Sequence, residues 1–85
     1  MVDQTPTTVA LSVDAGGTVS GVFSAIVSTN DTVTLTNFTD ILNSYVINLS
    51  TNVEATATLA TNVVTITQAA LVTAKILIFA QGTGL

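Results

Sequence analysis

The chain has 85 residues and a net charge of −4, with five acidic residues, one lysine and no histidine or cysteine. Disulfides and the usual zinc ligands are therefore excluded. Nucleic-acid binding is disfavoured because it needs several cations to displace phosphate counterions, and acidic membrane surfaces are disfavoured for the same lack of positive charge. A chain of this length is expected to form one domain, residues 1–85.

The composition predicts association with other protein chains. Hydrophobic residues make up 48% of the sequence and charged residues only 7%, whereas soluble domains typically carry about 25% charged residues. The longest strictly apolar run, residues 76–80, is far shorter than the roughly 18 residues that cross a membrane as a helix. The apolar surface is therefore expected to be covered by another chain and not to insert into a membrane.

The residue pattern is that of an all-β protein. Threonine is the commonest residue, with 17 of 85 positions, and β-branched side chains suit a pleated surface better than a helix. Apolar and polar residues alternate with a period of two. We predict a single antiparallel β-sandwich or flattened barrel of about seven short strands, near residues 7–13, 18–28, 31–36, 43–50, 53–60, 63–67 and 72–81.

In the first half of the chain, residues 1–6 are predicted to be an extended N-terminal arm. This start has no basic region followed by an apolar stretch, so no secretory signal is predicted. Turn-forming residues occupy 14–17 and 28–31, and the glycines of the first turn allow positive φ. The strand near 18–28 is apolar on both faces. Residues 37–40 are expected to form a loose connection or one helical turn.

In the second half, the tripeptide Thr-Asn-Val occurs at residues 51–53 and again at 61–63. Asparagine tolerates left-handed backbone, so residues 51–52 and 61–62 are predicted to be two-residue hairpin tips. Residues 68–74 could form a helical turn. The strand near 72–81 is again apolar on both faces, and residues 82–85 are predicted to be a glycine-rich C-terminal tail.

The period-two pattern also predicts a core. The inward side chains are expected to be Val9, Leu11, Val13, Phe23, Leu35, Ile47, Leu49, Leu59, Val64, Ile66, Ile76 and Ile78. Tyr45 shares the predicted inward phase of Ile47 and Leu49.

The two strands that are apolar on both faces predict a binding surface. Strands of this kind are covered on both sides, and one alternative is that loops of the same chain provide the second cover. The low charge favours a second subunit instead, with an interface formed by Val22, Ile26, Lys75, Leu77 and Phe79. Lys75 beside the apolar run is also expected to oppose edge-to-edge aggregation.

The chemically active residue types predict no enzyme. No serine or threonine has a histidine to activate it, and no motif supports a Ser–Lys pair through Lys75. No catalytic, cofactor-binding or metal-binding residue is predicted. Calcium is the one alternative left open, because Asp14, Asp31 and Asp40 fall in predicted loops whose carboxylates could be gathered around an ion. Solvated turn acids are the simpler interpretation.

Residues 31–82 contain the successive stretches "DTVTLTNFTDI", "YVINLS", "VEATATLATNVVTIT" and "ILIFAQG". In these stretches the chain resembles small β-sandwich structural proteins of phage and archaeal virus particles. The resemblance implies a head, tail, spike or decoration component that works as an oligomer in a virion, with itself and other structural proteins as partners. It carries over no functional residues. The alternatives are an extracellular filament or adhesin subunit, or a carbohydrate-binding module. The last is disfavoured because the chain lacks tryptophan and its one tyrosine is predicted to point inward.

Overall fold

The computed structural model describes residues 2–84 as an all-β chain without a helix, which confirms the predicted fold class at that level. Within this described range, nine strands occur where seven were predicted. They are β1 (Asp3–Gln4), β2 (Thr7–Val13), β3 (Thr18–Val27), β4 (Thr32–Thr34), β5 (Phe38–Asn48), β6 (Val53–Glu54), β7 (Ala57–Ala60), β8 (Val63–Ile66) and β9 (Ala74–Gly84). The helical turn that residues 68–74 could form is absent, since Ala70 and Thr73 have positive φ values of 62° and 46°.

The strands form two sheets rather than one closed cylinder. The larger has the order β2-β3-β9-β5-β6 and the smaller the order β1-β4-β8-β7. Among the strands of residues 2–84, β1 and β4 alone run parallel, and every other pair is antiparallel. β9 is the central strand of the larger sheet, paired with β3 on one side and β5 on the other, so the C-terminal strand holds most of that sheet together.

Alternate residues of the long strands build a single core between the sheets. On β9, Ile76 and Ile78 are fully buried while Phe79 is 39% exposed, as the period of two requires. Half of the predicted core is confirmed, and its six buried members are Phe23, Leu35, Val64, Ile66, Ile76 and Ile78. The phenyl ring of Phe23 packs edge-on against Phe38, with ring centroids 6.0 Å apart.

The first strand does not contribute to the core as predicted. Val9, Leu11 and Val13 are 59%, 41% and 55% exposed. β2 is an end strand of the larger sheet, and every residue of it is exposed. Alternation shows which side chains share a face, but a face is buried only where a second layer covers it.

The fourth predicted strand has the opposite phase. Val46 is buried, whereas Tyr45 is exposed and Ile47 and Leu49 are half-buried. Strand β5 begins at Phe38 and shifts register twice, between Phe38 and Asp40 and between Ile41 and Asn43. Each extra residue in a bulge reverses the face on which the later residues of the strand lie, and the two reversals cancel, so Phe38 and Val46 are both buried. The alternation within residues 43–50 does not by itself show which of its two sets of side chains faces the core. Leu59, at 37% exposure, lies on end strand β7.

Three predicted turns are confirmed and one is wrong. At residues 14–17, the Gly17 amide donates to the Asp14 carbonyl at 2.9 Å and closes the turn, and Gly17 has a φ of +86°. At residues 28–31, the Asp31 amide donates to the Ser28 carbonyl at 3.0 Å. Ala60 pairs with Val63, so residues 61–62 are a two-residue tip. Asn48 pairs with Val53 instead, which makes residues 49–52 a four-residue loop.

The predicted strand 53–60 is divided between the two sheets. β6 pairs with β5 in the larger sheet, and β7 pairs with β8 in the smaller one. Between them, the Ala55 amide donates to the Val46 carbonyl at 2.8 Å, and the Thr56 carbonyl accepts from the Thr67 amide at 2.9 Å. The chain therefore changes layer at residues 55–56, where the sequence shows an uninterrupted alternation.

The two predicted terminal segments are part of the sheets. Within the arm, Asp3 and Gln4 form β1 beside β4. Within the tail, residues 82–84 complete β9, and residue 85 lies outside the described residues. Gly82 is buried, and a Cβ there would collide with the Asp40 carbonyl. Glycine is needed at this position because the bulged part of β5 approaches β9 closely.

Candidate interaction surface on the outer face of the larger sheet

The outer face of the larger sheet is the side turned away from the smaller sheet. Antiparallel register places residues of neighbouring strands side by side there. Ala10 lies opposite Val22, Val22 opposite Phe79, and Phe79 opposite Tyr45, so one apolar row crosses four strands. A second row runs from Ser24 through Leu77 to Ile47. No element within residues 2–84 forms a third layer over this side.

All five residues predicted to form an interface lie on this outer face. Val22 is opposite Phe79 and Ile26 is opposite Lys75, with Leu77 between them on β9. Ile26 and Phe79 are 53% and 39% exposed. Their common placement follows from the even spacing along β3 and β9, and their contact with a second copy stays a prediction. The edge-protecting role expected of Lys75 is wrong, because β9 is a central strand.

An aromatic pair at the middle of the face was missed from the sequence. The rings of Tyr45 and Phe79 have centroids 6.2 Å apart and an interplanar angle of 48°, a geometry typical of favourable aromatic contacts. Tyr45 is 44% exposed, where an inward position was predicted. Only the bulges in β5 put Tyr45 beside Phe79, and no local sequence signal marks them.

A polar row borders the apolar rows and was also missed. Ser12 lies opposite Ser20, Ser20 opposite Gln81, and Gln81 opposite Asn43. Together with the aromatic pair, these side chains line a groove of about 410 Å³. Hydroxyl and amide groups beside aromatic rings can bind a polar ligand that has an apolar face.

Asp31 is buried and serves as a structural anchor. Its carboxylate accepts hydrogen bonds from the Ser28 amide at 2.9 Å, from Gln4 Nε2 at 3.0 Å and from the Val2 amide at 3.1 Å. The Ser28 and Gln4 bonds, and then the Val2 bond, lower the pKa of Asp31 against the opposing effect of burial. Asp31 thereby fixes the N-terminal segment beside β4.

The three carboxylates considered for calcium are not brought together. Asp40 lies opposite Thr83, and Thr83 lies opposite Thr18, whose carbonyl accepts from the Asp14 amide. Asp14 and Asp40 are thus at one end of the larger sheet, whereas Asp31 follows β3 at the other end. Within residues 2–84, no three metal-binding side chains of the His, Cys, Asp or Glu type cluster together.

The part of the chain that the structure describes contains no helix of the length and apolarity that a bilayer crossing requires. Comparison of the chain with protein-family models, with curated proteins and with solved structures gives no match.

Proposed function

We propose that this protein is a non-enzymatic β-sandwich subunit of a homo-oligomeric structural assembly, a component of a virus particle, and that two copies pack through their outer faces. One observation carries the proposal. The apolar rows that include Val22, Phe79 and Tyr45 lie on an open sheet face of a chain that has very few charges. Exposed apolar patches of this kind mark interaction sites.

The size of the outer face suits a specific interface. Strands lie about 4.8 Å apart and rise about 3.3 Å per residue, so the five strands, with 7, 10, 11, 11 and 2 residues, form a face of roughly 650 Å². Stable protein interfaces bury about 600–1,000 Å² on each partner. A second copy of the same face therefore supplies a cover of suitable area.

The charges on the face also favour a second copy. Lys75 and Glu54 are its only charged residues close to the apolar rows, with Glu54 opposite Ile47 on end strand β6. Packing two copies therefore desolvates no charge at the centre of the contact, which keeps the cost of association low. The one cation and one anion can remain at a polar rim, as in most interfaces.

The structural role rests on composition and resemblance together. The chain has no histidine and no cysteine to activate a nucleophile or base, which supports a non-enzymatic role. The resemblance of residues 31–82 to virion β-sandwich proteins supports the particle. The filament alternative, with an N-terminal strand donated to a neighbour, is less favoured because Asp3 and Gln4 pair with β4 of their own chain.

A carbohydrate-binding module is the second candidate, and the position of Tyr45 favours it. The inward phase that argued against this function is wrong. Tyr45 and Phe79 instead offer exposed rings beside Asn43 and Gln81, whose amides can donate to and accept from sugar hydroxyls. Titration with soluble oligosaccharides, monitored by isothermal calorimetry, tests it. Saturable binding that Tyr45→Ala abolishes would favour the module over the interface.

Absolute mass in solution tests the main proposal. Light scattering over a concentration series should give a multiple of the 8.6 kDa chain mass. The expected assembly should dissociate on dilution with a defined dissociation constant. A particle that keeps the monomer mass up to millimolar concentration would overturn the proposal, because its outer face would then be stable in water.

A further inference from the structure

Strand β2 is the longest end strand within residues 2–84. It ends the larger sheet and pairs only with β3. The other end strands are shorter, with two residues in β1, two in β6 and four in β7, against seven in β2. An unpaired strand edge presents a row of free N–H and C=O groups, which another strand can bind.

The hairpin that joins β2 to β3 shows which groups are free. The Asp14 amide donates to the Thr18 carbonyl at 2.8 Å, so these two residues form a hydrogen-bonded pair. Hydrogen-bonded and non-bonded pairs alternate along an antiparallel ladder. Val13 opposite Val19 and Leu11 opposite Gly21 are therefore non-bonded pairs. The N–H and C=O groups of Leu11 and Val13 consequently point away from β3.

The side chains of the same two residues are uncovered. Val13 lies opposite the buried Val19, so both Leu11 and Val13 are on the inner side of the sheet. They are nevertheless 41% and 55% exposed, because the smaller sheet does not reach β2. Leu11 and Val13 thus combine free backbone N–H and C=O groups with unburied apolar side chains. A strand added at this edge would form hydrogen bonds with the backbone groups and cover the side chains.

We infer that the β2 edges of two copies pair antiparallel across a two-fold axis centred on Ser12. In this register, Leu11 of each copy lies opposite Val13 of the other copy. The outward N–H and C=O groups of these two symmetry-related pairs form four backbone hydrogen bonds. Residues directly opposite each other share a face, so the four apolar side chains meet on the inner side. The larger sheets of the two copies become one ten-stranded sheet.

The charge pattern favours a second copy as the occupant, and the bulge selects the register. Residues 4–13 carry no charge in a chain whose net charge is −4, so two acidic copies meet here without contact between like charges. The register of β2 shifts between Thr8 and Ala10, and such a bulge interrupts regular pairing. Pairing centred on Ser12 uses Ala10–Val13, the regular part of the strand.

The inference rests on the proposed homo-oligomer but uses a different surface. Edge pairing leaves both outer faces open on the same side of the ten-stranded sheet. Two such sheets can then pack face to face, which combines two kinds of two-fold contact in a closed tetramer with mutually perpendicular axes.

Cross-linking at the two-fold axis tests the register. Ser12 would face Ser12 of the second copy in a non-bonded pair, with Cα atoms about 4.5 Å apart, within the range of about 4.4–6.8 Å that a disulfide allows. The natural chain has no cysteine, so Ser12→Cys introduces a unique thiol. Mild oxidation should give a disulfide-linked dimer on a non-reducing gel. Ser50→Cys, in the exposed 49–52 loop, is the matched control and should cross-link much more slowly.

The outcomes separate this inference from the outer-face proposal. Ser12→Cys combined with Phe79→Lys should still cross-link, because the edge contact does not use Phe79. Failure of Phe79→Lys to change the mass, with cross-linking at Ser12 intact, would reject the outer face alone. Ser12→Cys that reacts no faster than Ser50→Cys would overturn edge pairing. Faster cross-linking by Leu11→Cys than by Ser12→Cys would overturn the register.

Discussion

Replacing Phe79 with lysine perturbs the centre of the outer face without touching the core. Phe79 is 39% exposed, so an aromatic side chain of about 200 Å² leaves roughly 80 Å² in water. Burying that area in a contact between copies is worth about 2 kcal/mol at ~25 cal/mol per Å². In a two-fold contact both copies contribute, so the loss is about 4 kcal/mol, or roughly a thousandfold in the dissociation constant.

The variant should remain folded, since a lysine stem can lie along the sheet with its ammonium group in water. Sedimentation velocity over a concentration series measures the dissociation constant, and thermal unfolding monitored by circular dichroism checks the fold. Val72→Lys is the matched control, because Val72 is 79% exposed in the segment before β9 and the charge change is the same. Equal dissociation constants for Phe79→Lys and Val72→Lys, with a wild type that associates, would refute burial of the outer face.

Three further predictions concern stability. Ile78→Ala removes a fully buried side chain and should lower the free energy of unfolding by about 2–5 kcal/mol in urea; a loss under about 1 kcal/mol would contradict its central place in the core. Gly82→Ala should destabilise the fold strongly, whereas Gly16→Ala, whose Cβ would meet nothing within 4 Å, should change the melting temperature little. Asp31→Asn should destabilise at neutral pH, since an amide offers one acceptor oxygen to three donors, while Asp14→Asn should not. Folding lowers the pKa of Asp31, so the stability that its carboxylate contributes is complete above the ordinary carboxyl pKa of about 3.9 and is lost as the pH falls through the pKa of the folded state. The difference in melting temperature between wild type and Asp31→Asn should therefore shrink in acid. A difference that stays constant with pH would contradict the anchoring role of Asp31.

Local patterns identified much of the outer face. Even spacing on β3 and β9 was enough to place Val22, Ile26, Leu77 and Phe79 together, because both strands are regular over their paired length. Tyr45 could not be placed beside Phe79, since its partner on β9 is set by two bulges that form only where β5 meets β9. The polar row beside it depends on the same pairing and was missed for the same reason.

The amino-acid sequence by itself determined the all-β class, the presence of apolar residues on both faces of β3 and β9, and the turns at Gly17 and Thr61, because each depends on residues close together along the chain. Only the tertiary structure decided that β2 would remain uncovered, that residues 55–56 would change layer and that the N-terminal segment would lie beside β4. These outcomes depend on which strands meet across long sequence separations. A period of two shows which side chains share a face, while burial requires a second layer whose extent no local pattern encodes.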